Sequence, residues 1–323
     1  MLSRVANSIY WMCRYIERAE NVARFIGVNL NLLLDMNSGT EQHWSPIVMT
    51  TGDQELYEKK GQAYDEASVL WFLTFDREYP NSILSCVAAA RENARSIREI
   101  ISPELWEHLN QFYLDLMRED SIRFALQDPQ KFYHVILMRS NLFIGLMNNT
   151  MSHGEAWNFA RMGRMIERAD KTSRILDVKY FMLLPEVELV NAPIDYVQWI
   201  SVLRSASAFE MYRQTKQTIT PKGIADFLIF DEHFPRSIHH CVTQAQKCLY
   251  NILESPKGPV HPVGKLLGRL RADLDYMDID EVLELGLHEF LDGLQVKLNN
   301  IDLNIGTSFF NIQHHAFSES RQQ

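Results

Sequence analysis

The chain has 323 residues, 46% of them hydrophobic and 23% charged, and a formal net charge of −9 at pH 7. That is enough chain for a large core, with a composition ordinary for a soluble protein. The acidic balance excludes the basic footprint of a nucleic-acid binder, and no run of 18 apolar residues offers a membrane span.

Helical periodicity runs from end to end. A first helix is expected from Ser3 to about Leu34, before the breaker Asn37-Ser38-Gly39. At 100° per residue it places Ile9, Met12, Cys13, Ile16, Ala19, Ala23 and Ile26 on one side, and Arg14, Glu17, Arg18, Asn21 and Arg24 on the other. Asp65 caps a helix carrying Val69 to Leu73, and Pro80 starts another whose stripe runs from Ile83 to Ile101. Ser102-Pro103-Glu104 joins a capping hydroxyl, a first-turn proline and a first-turn acid, and Asp128-Pro129 repeats that logic for a helix ending near Asn149. Ser152 and Glu155 have capping-box spacing for the next long helix. Pro185 and Pro193 bracket a loop, Thr220-Pro221 marks a further start, and Asp280-Glu281 opens a last helix to about Phe310, followed by a fraying tail. The expected fold is all-α.

Two stretches are written twice. Arg14-Tyr15-Ile16-Glu17-Arg18-Ala19-Glu20 returns 150 residues later as Arg164-Met165-Ile166-Glu167-Arg168-Ala169-Asp170. Phe72 to Val87 returns 155 residues later as Phe227 to Val242 with nine of sixteen positions identical, and Trp44, Glu55 and Tyr57 keep that second offset to Trp199, Glu210 and Tyr212. The expectation is an internally duplicated helical bundle, residues 1–150 and 151–312 packed with pseudo-two-fold symmetry as one globular unit, and a tail over 313–323.

What persisted between the copies separates packing from constraint. Asp76 and Asp231 suit backbone acceptance at a turn, while Cys86 and Cys241 fall on an apolar helix side as small hydrophobes. The charges at Arg14/Arg164, Glu17/Glu167, Arg18/Arg168, Glu20/Asp170 and Arg24/Arg174 persisted, while Val22/Thr172 and Ala23/Ser173 changed. A freely solvated face has no reason to be the more constant one. One reading is an ion-pair network docking the two first helices. The other has Arg14, Arg18, Arg164 and Arg168 clamping a carboxylate or phosphate, with Glu17 and Glu167 as acid/base groups.

Weaker candidates carry no chemistry. Glu284 and His288 stand four apart on one helix face, but no Glu-x-x-His pair is present for a di-iron bundle. Asp273, Asp275, Asp278 and Asp280 lack the glycine of a calcium loop, and His239-His240 and His314-His315 read as solvated or capping residues. Gly264-x-x-x-Gly268-Arg269 has too few glycines for a phosphate loop. No metal site and no cofactor are expected. The four cysteines, Cys13, Cys86, Cys241 and Cys248, have no disulfide or zinc spacing, and the N-terminus lacks a signal-peptide pattern, so reduced thiols in the cytoplasm are expected.

Met1-Leu2-Ser3-Arg4, Tyr10-Trp11, the segment Arg14 to Asn21, Ala90 to Arg95 and Ser102 to Glu107, together with Gly154-Glu155-Ala156-Trp157 and Gly163 to Asp170, resemble the bacterial alpha-E family, named for its helices and Glu-Arg motif. The likeness covers essentially the whole chain. Two departures stand out: Cys13 occupies the place of Gly163, and Arg91-Glu92-Asn93 becomes Gln246-Lys247-Cys248. Arg91 and Asn93 are therefore further binding candidates, in a segment the copies do not share. The resemblance implies no defined catalytic activity. It implies a place beside ATP-grasp ligase-like and transglutaminase-like proteins in peptide synthesis or modification: a non-catalytic helical partner or scaffold or, alternatively, an enzyme of the same pathway using Glu17 and Glu167.

Overall fold

The computed structural model describes residues 1–36, 44–183, 193–216, 218–254 and 260–310, and of these the side chains outside 32–36 and 178–195. Asn37-Ser38-Gly39, Pro185, His314-His315 and the tail 313–323 lie outside the described residues.

The first long helix, α1 (Ser3–Met36), is followed by the short α2 (Ser45–Thr51) and α3 (Gln54–Glu58), then α4 (Glu66–Thr74) and α5 (Ile83–Ser96). Asp65 caps α4 by accepting from Ser68 N, as its spacing predicts. Helix α5 is capped by Ser82, not started by Pro80, which sits in the turn before it; Ile97 and Ile101 lie beyond its last turn yet remain buried. Ser102 and Asp128 cap α6 (Pro103–Leu116) and α8 (Pro129–Thr150), with α7 (Glu119–Gln127) between them.

The second long helix, α9 (Glu155–Leu183), begins at Glu155 itself, three residues after Ser152. It is followed by α10 (Pro193–Ser205), α11 (Phe209–Thr215), α12 (Pro221–Phe230), α13 (Ile238–Ile252) and α14 (Pro262–Tyr276). Thr220 caps α12 as expected. The expected continuous last helix is broken. Gly286 takes φ 95°, a value that favours glycine, and divides α15 (Ile279–Leu285) from α16 (Leu287–Ile305), which ends in a π-helical turn over Gly306–Phe310. No strand is present among the described residues, so the all-α expectation holds, and no described helix is long and apolar enough to cross a membrane.

Helices α1 and α9 form the centre. Helix α1 packs on α5, α8 and α9; α9 packs on α13, α16 and α2; α6 and α14 close the outer sides against α5 and α13. The whole predicted apolar side of α1, Ile9 through Ile26, is buried. Most of the charged side is buried too, with Glu17 1% and Glu20 0% exposed and Arg18 and Arg24 partly buried, because α9 packs against it. Contacts advance in the same direction along both helices, from Tyr10 beside Gly163 to Glu17 on Arg168, so α1 and α9 run parallel. A Cβ on Gly163 would lie 2.6 Å from the Tyr10 carbonyl oxygen. Cys13, the residue in the corresponding place of the first Glu-Arg segment, donates instead to Met147 Sδ of α8 at 3.5 Å.

Candidate functional site

The two Glu-Arg segments meet face to face between α1 and α9, and their pairing is crossed. Arg18 forks onto Glu167, Nε donating to Oε1 at 2.7 Å and Nη2 to Oε2 at 3.0 Å, while Arg14 Nε donates to the same Oε2 at 2.9 Å. Arg168 forks onto Glu17, Nε to Oε1 at 2.8 Å and Nη2 to Oε2 at 2.7 Å. Lys171 Nζ lies 3.8 Å from Glu167 Oε1. Around Glu17 that neutralising role passes to Arg236, in the turn before α13, whose Nη1 donates to Oε1 at 3.1 Å, while Asn21 Nδ2 adds a neutral hydrogen bond to Oε1 at 3.3 Å. These are planar, bidentate, charge-assisted bonds in a water-poor seam, the geometry that makes arginine irreplaceable by lysine.

A second ring of contacts holds the first. Glu20 pairs with Arg24 and Arg236, and Asp170 with Lys171 and Arg174. Asp302 of α16 pairs with Arg14 and accepts from Tyr10 OH at 2.6 Å. Arg18 donates to Asn81, which donates to Asp53 at 2.8 Å; Tyr79 OH donates to the same Asp53 oxygen at 2.6 Å. Burial pushes the carboxyls of Glu17 and Glu167 up. Arg168 and Arg236 around Glu17, and Arg18 and Arg14 around Glu167, outweigh it and hold both below the ordinary carboxylate range. Both are therefore ionised and closed to solvent.

Among the described residues, the hollow that touches the forks is a small one. The space beside Arg18, bounded also by Thr51, Asp53, Tyr79, Asn81 and Lys171, is about 10 Å³, room for one water molecule. Two larger hollows lie elsewhere: about 410 Å³ among α6, α7 and α8, and about 830 Å³ between the start of α9 and the end of α13.

Of the sequence candidates, Arg14, Arg18, Arg168, Glu17 and Glu167 converge at the seam. Arg164 is buried nearby without joining the forks, its guanidinium pushed down by burial and by Arg168. Arg91 turns to α6, donating to Asn110 Oδ1 at 2.7 Å and lying 4.9 Å from the centre of the Tyr113 ring; Asn93 is half-buried on the same helix. Cys86 and Cys241 are fully buried, their thiols pushed up to about 12, and point at the Pro80 and Pro235 carbonyls, as small hydrophobes would.

Two expectations need correction. Glu284 and His288 do not share one helix face, because Gly286 separates them, and His288 pairs with Asp177 at 2.6 Å. His239 is neither solvated nor capping but buried against Asp275 at 2.6 Å. Among the described residues no group of three or more His, Cys, Asp or Glu side chains is arranged to hold a metal ion. Arg236 and Asp302 belong to the network without having been singled out in the sequence. Arg236 had a signal, the change from Asn81 to a charge inside the most constant repeated segment; Asp302 had none.

No solved structure matches the chain. Among curated proteins it is similar to an uncharacterized protein of Mycobacterium bovis, 24% identical over 331 residues that cover 92% of this chain and 36% of the relative. An uncharacterized protein of Mycobacterium tuberculosis strain H37Rv is 23% identical over the same shares. The chain thus spans little more than a third of the length of the curated relatives it matches. Residues 1–310 match Alpha-E, described as a predicted alpha-helical domain with a conserved ER motif. The motif at the crossed forks and the match over 1–310 agree: the chain belongs to the Alpha-E family.

Proposed function

We propose that this chain is a non-catalytic helical partner of a bacterial ATP-grasp and transglutaminase-like peptide synthesis or modification system, working in the cytoplasm as a scaffold for the ligase-like protein or its peptide product. The observation that carries the non-catalytic part is the enclosure of Glu17 and Glu167. A general acid or base must reach a substrate proton, yet both carboxylates are buried, ionised and held by guanidinium donors. The assignment to that system rests on the family resemblance. A domain covering 36% of its relatives also fits a working part of a larger assembly.

The scaffold is read as two duplicated units related by a pseudo-two-fold axis parallel to α1 and α9. Supporting this, the left-handed positions Gly52 (φ 78°) and Ser207 (φ 53°) lie 155 residues apart, and each meets an arginine of the opposite long helix, Arg174 and Arg24. Tyr57 OH donates to the Ala63 carbonyl and Tyr212 OH to that of Thr218, at the same offset. On this reading the Glu-Arg motif is the lock between the units.

The test is co-purification with the neighbouring ATP-grasp protein, then a ligation assay with and without this chain. Replacing Glu17 with Leu and Arg168 with Met together removes both members of a buried pair and leaves Arg236 with Glu20 as its acid. The scaffold reading expects this folded variant to keep both association and product yield. Loss of product with association intact would assign chemistry to the motif and sink the reading.

A further inference from the structure

Arg14 and Arg164 occupy the same place in the two Glu-Arg segments, yet only Arg14 is neutralised. Its guanidinium reaches Glu167 and Asp302. Arg164 is 8% exposed, and its Nε and Nη1 are buried with no hydrogen-bond partner, which leaves Nη2 as the nitrogen that meets solvent. Glu17 lies within electrostatic reach, but its hydrogen bonds go to other donors. Its Oε1 takes Arg168 Nε, Arg236 Nη1 and Asn21 Nδ2, and its Oε2 takes Arg168 Nη2. One turn earlier on α9, Arg161 is also without an acid partner: Nη2 donates to Gln244 Oε1 at 2.9 Å, the guanidinium lies 5.0 Å from the centre of the Trp157 ring, and Nε is buried and unsatisfied. The two guanidiniums repel each other, and both act on the Cys248 thiol, so they border one locality between α9 and α13.

Two neighbouring arginines with buried, unfilled donors and no carboxylate are costly to hold unless something supplies the missing charge. We infer that Arg164, with Arg161 beside it, forms an oxyanion site that takes a carboxylate from a ligand, entering at Arg164 Nη2. Carboxylate is the better fit than phosphate because Asp302 supplies that group to Arg14, and because a single negative charge completes the Arg164 position. The inference stands on this geometry and does not depend on the scaffold reading.

The test uses the full chain with acetate as probe and inorganic phosphate as the second arm, at constant ionic strength in sodium chloride, read by thermal denaturation and calorimetric titration. Acetate raises the unfolding temperature saturably in the wild type. Arg164→Met weakens acetate binding about tenfold or more, the loss of one charge-assisted hydrogen bond. Arg123→Met, at an exposed position on α7, leaves it unchanged. Arg161→Met gives an intermediate loss. Arg164→Met is expected to fold, since it strands no carboxylate. Should it not fold, the Arg164 Nε–H resonance of the wild type, assigned with Arg164→Lys, must still move on acetate titration. No saturable acetate effect, an effect equal in the wild type and Arg164→Met, or binding of phosphate alone would each overturn the inference.

Discussion

Glu17 and Glu167 face the same physical problem, a carboxylate carried into a helix seam, and the protein solves it with different residues. Glu167 draws on Arg14 and Arg18 from α1 and on Lys171 from its own helix. Glu17 draws on Arg168 alone from the facing helix and recruits Arg236 from a distant turn, with Asn21 where the other segment has Lys171. What stayed constant is the neutralised carboxylate, not its donors. The arginines differ in the opposite sense: Arg14 has two acids and Arg164 none.

The strongest way to break this comparison is to remove each carboxylate in turn. Glu167→Ala strands Arg18 and leaves Arg14 with Asp302 alone, and Glu17→Ala strands Arg168 and leaves Arg236 with Glu20 alone, so each is expected to cost about 3–5 kcal/mol in urea unfolding. A cost below 1 kcal/mol for either would mean that its cage is not an energetic unit. Acid probes both cages together. Their folded carboxyl groups titrate below the ordinary Glu value of about 4.3, so the stabilisation is complete above about pH 5 and is lost as pH falls through the lowered values. Thermal midpoints should drop below pH 5; a midpoint rising as pH falls from 5 to about 3 would contradict the ion lock.

Gly163→Ala asks whether the close helix approach is confined to one side. A Cβ 2.6 Å from a backbone oxygen should cost about 1–3 kcal/mol by overpacking, set against at most about 1 kcal/mol of helix propensity. Unchanged stability would mean that α1 and α9 can part at no cost. Smaller still is the contrast at the left-handed turns. Gly52→Ala should lose about 1–2 kcal/mol from its backbone conformation, whereas Ser207→Gly gains back part of that and gives up the Arg24 contact, for a net change within about 1 kcal/mol. Equal effects at both positions would count against the correspondence between them. The smallest effect is expected at His288, where Asp177 raises the imidazole pKa. That contribution is present below about pH 6.5 and is lost as pH rises, and His288→Ala should cost under about 1 kcal/mol in unfolding at pH 6.

Helix starts were legible where the signal is local. Asp65, Ser102, Asp128 and Thr220 each bond a backbone N–H three residues on, so sequence spacing alone determines them. The break at Gly286 was not legible, because an isolated glycine inside a helical pattern is tolerated as often as not and only its φ decides. The short helices α2, α3 and α7 carry too few residues to show a period. At the seam, the constancy of the charges pointed to constraint, but not to the crossing of the pairs or to the parallel direction, which depend on where α5, α8, α13 and α16 push the long helices. Asp302 illustrates the limit: nothing near it in the chain distinguishes it from a solvated acid, yet it completes the Arg14 position from 288 residues away.

The crossing of the forks also bears on how the chain is made. Synthesis runs from the N-terminus, so Glu17 leaves the ribosome about 150 residues before Arg168 and more than 200 before Arg236. Until then the first long helix carries a carboxylate and two arginines whose mates do not yet exist, and burying that face would strand all three. The nascent first segment is therefore kept from settling on its own, and the arrival of the second Glu-Arg segment is the event that lets both close.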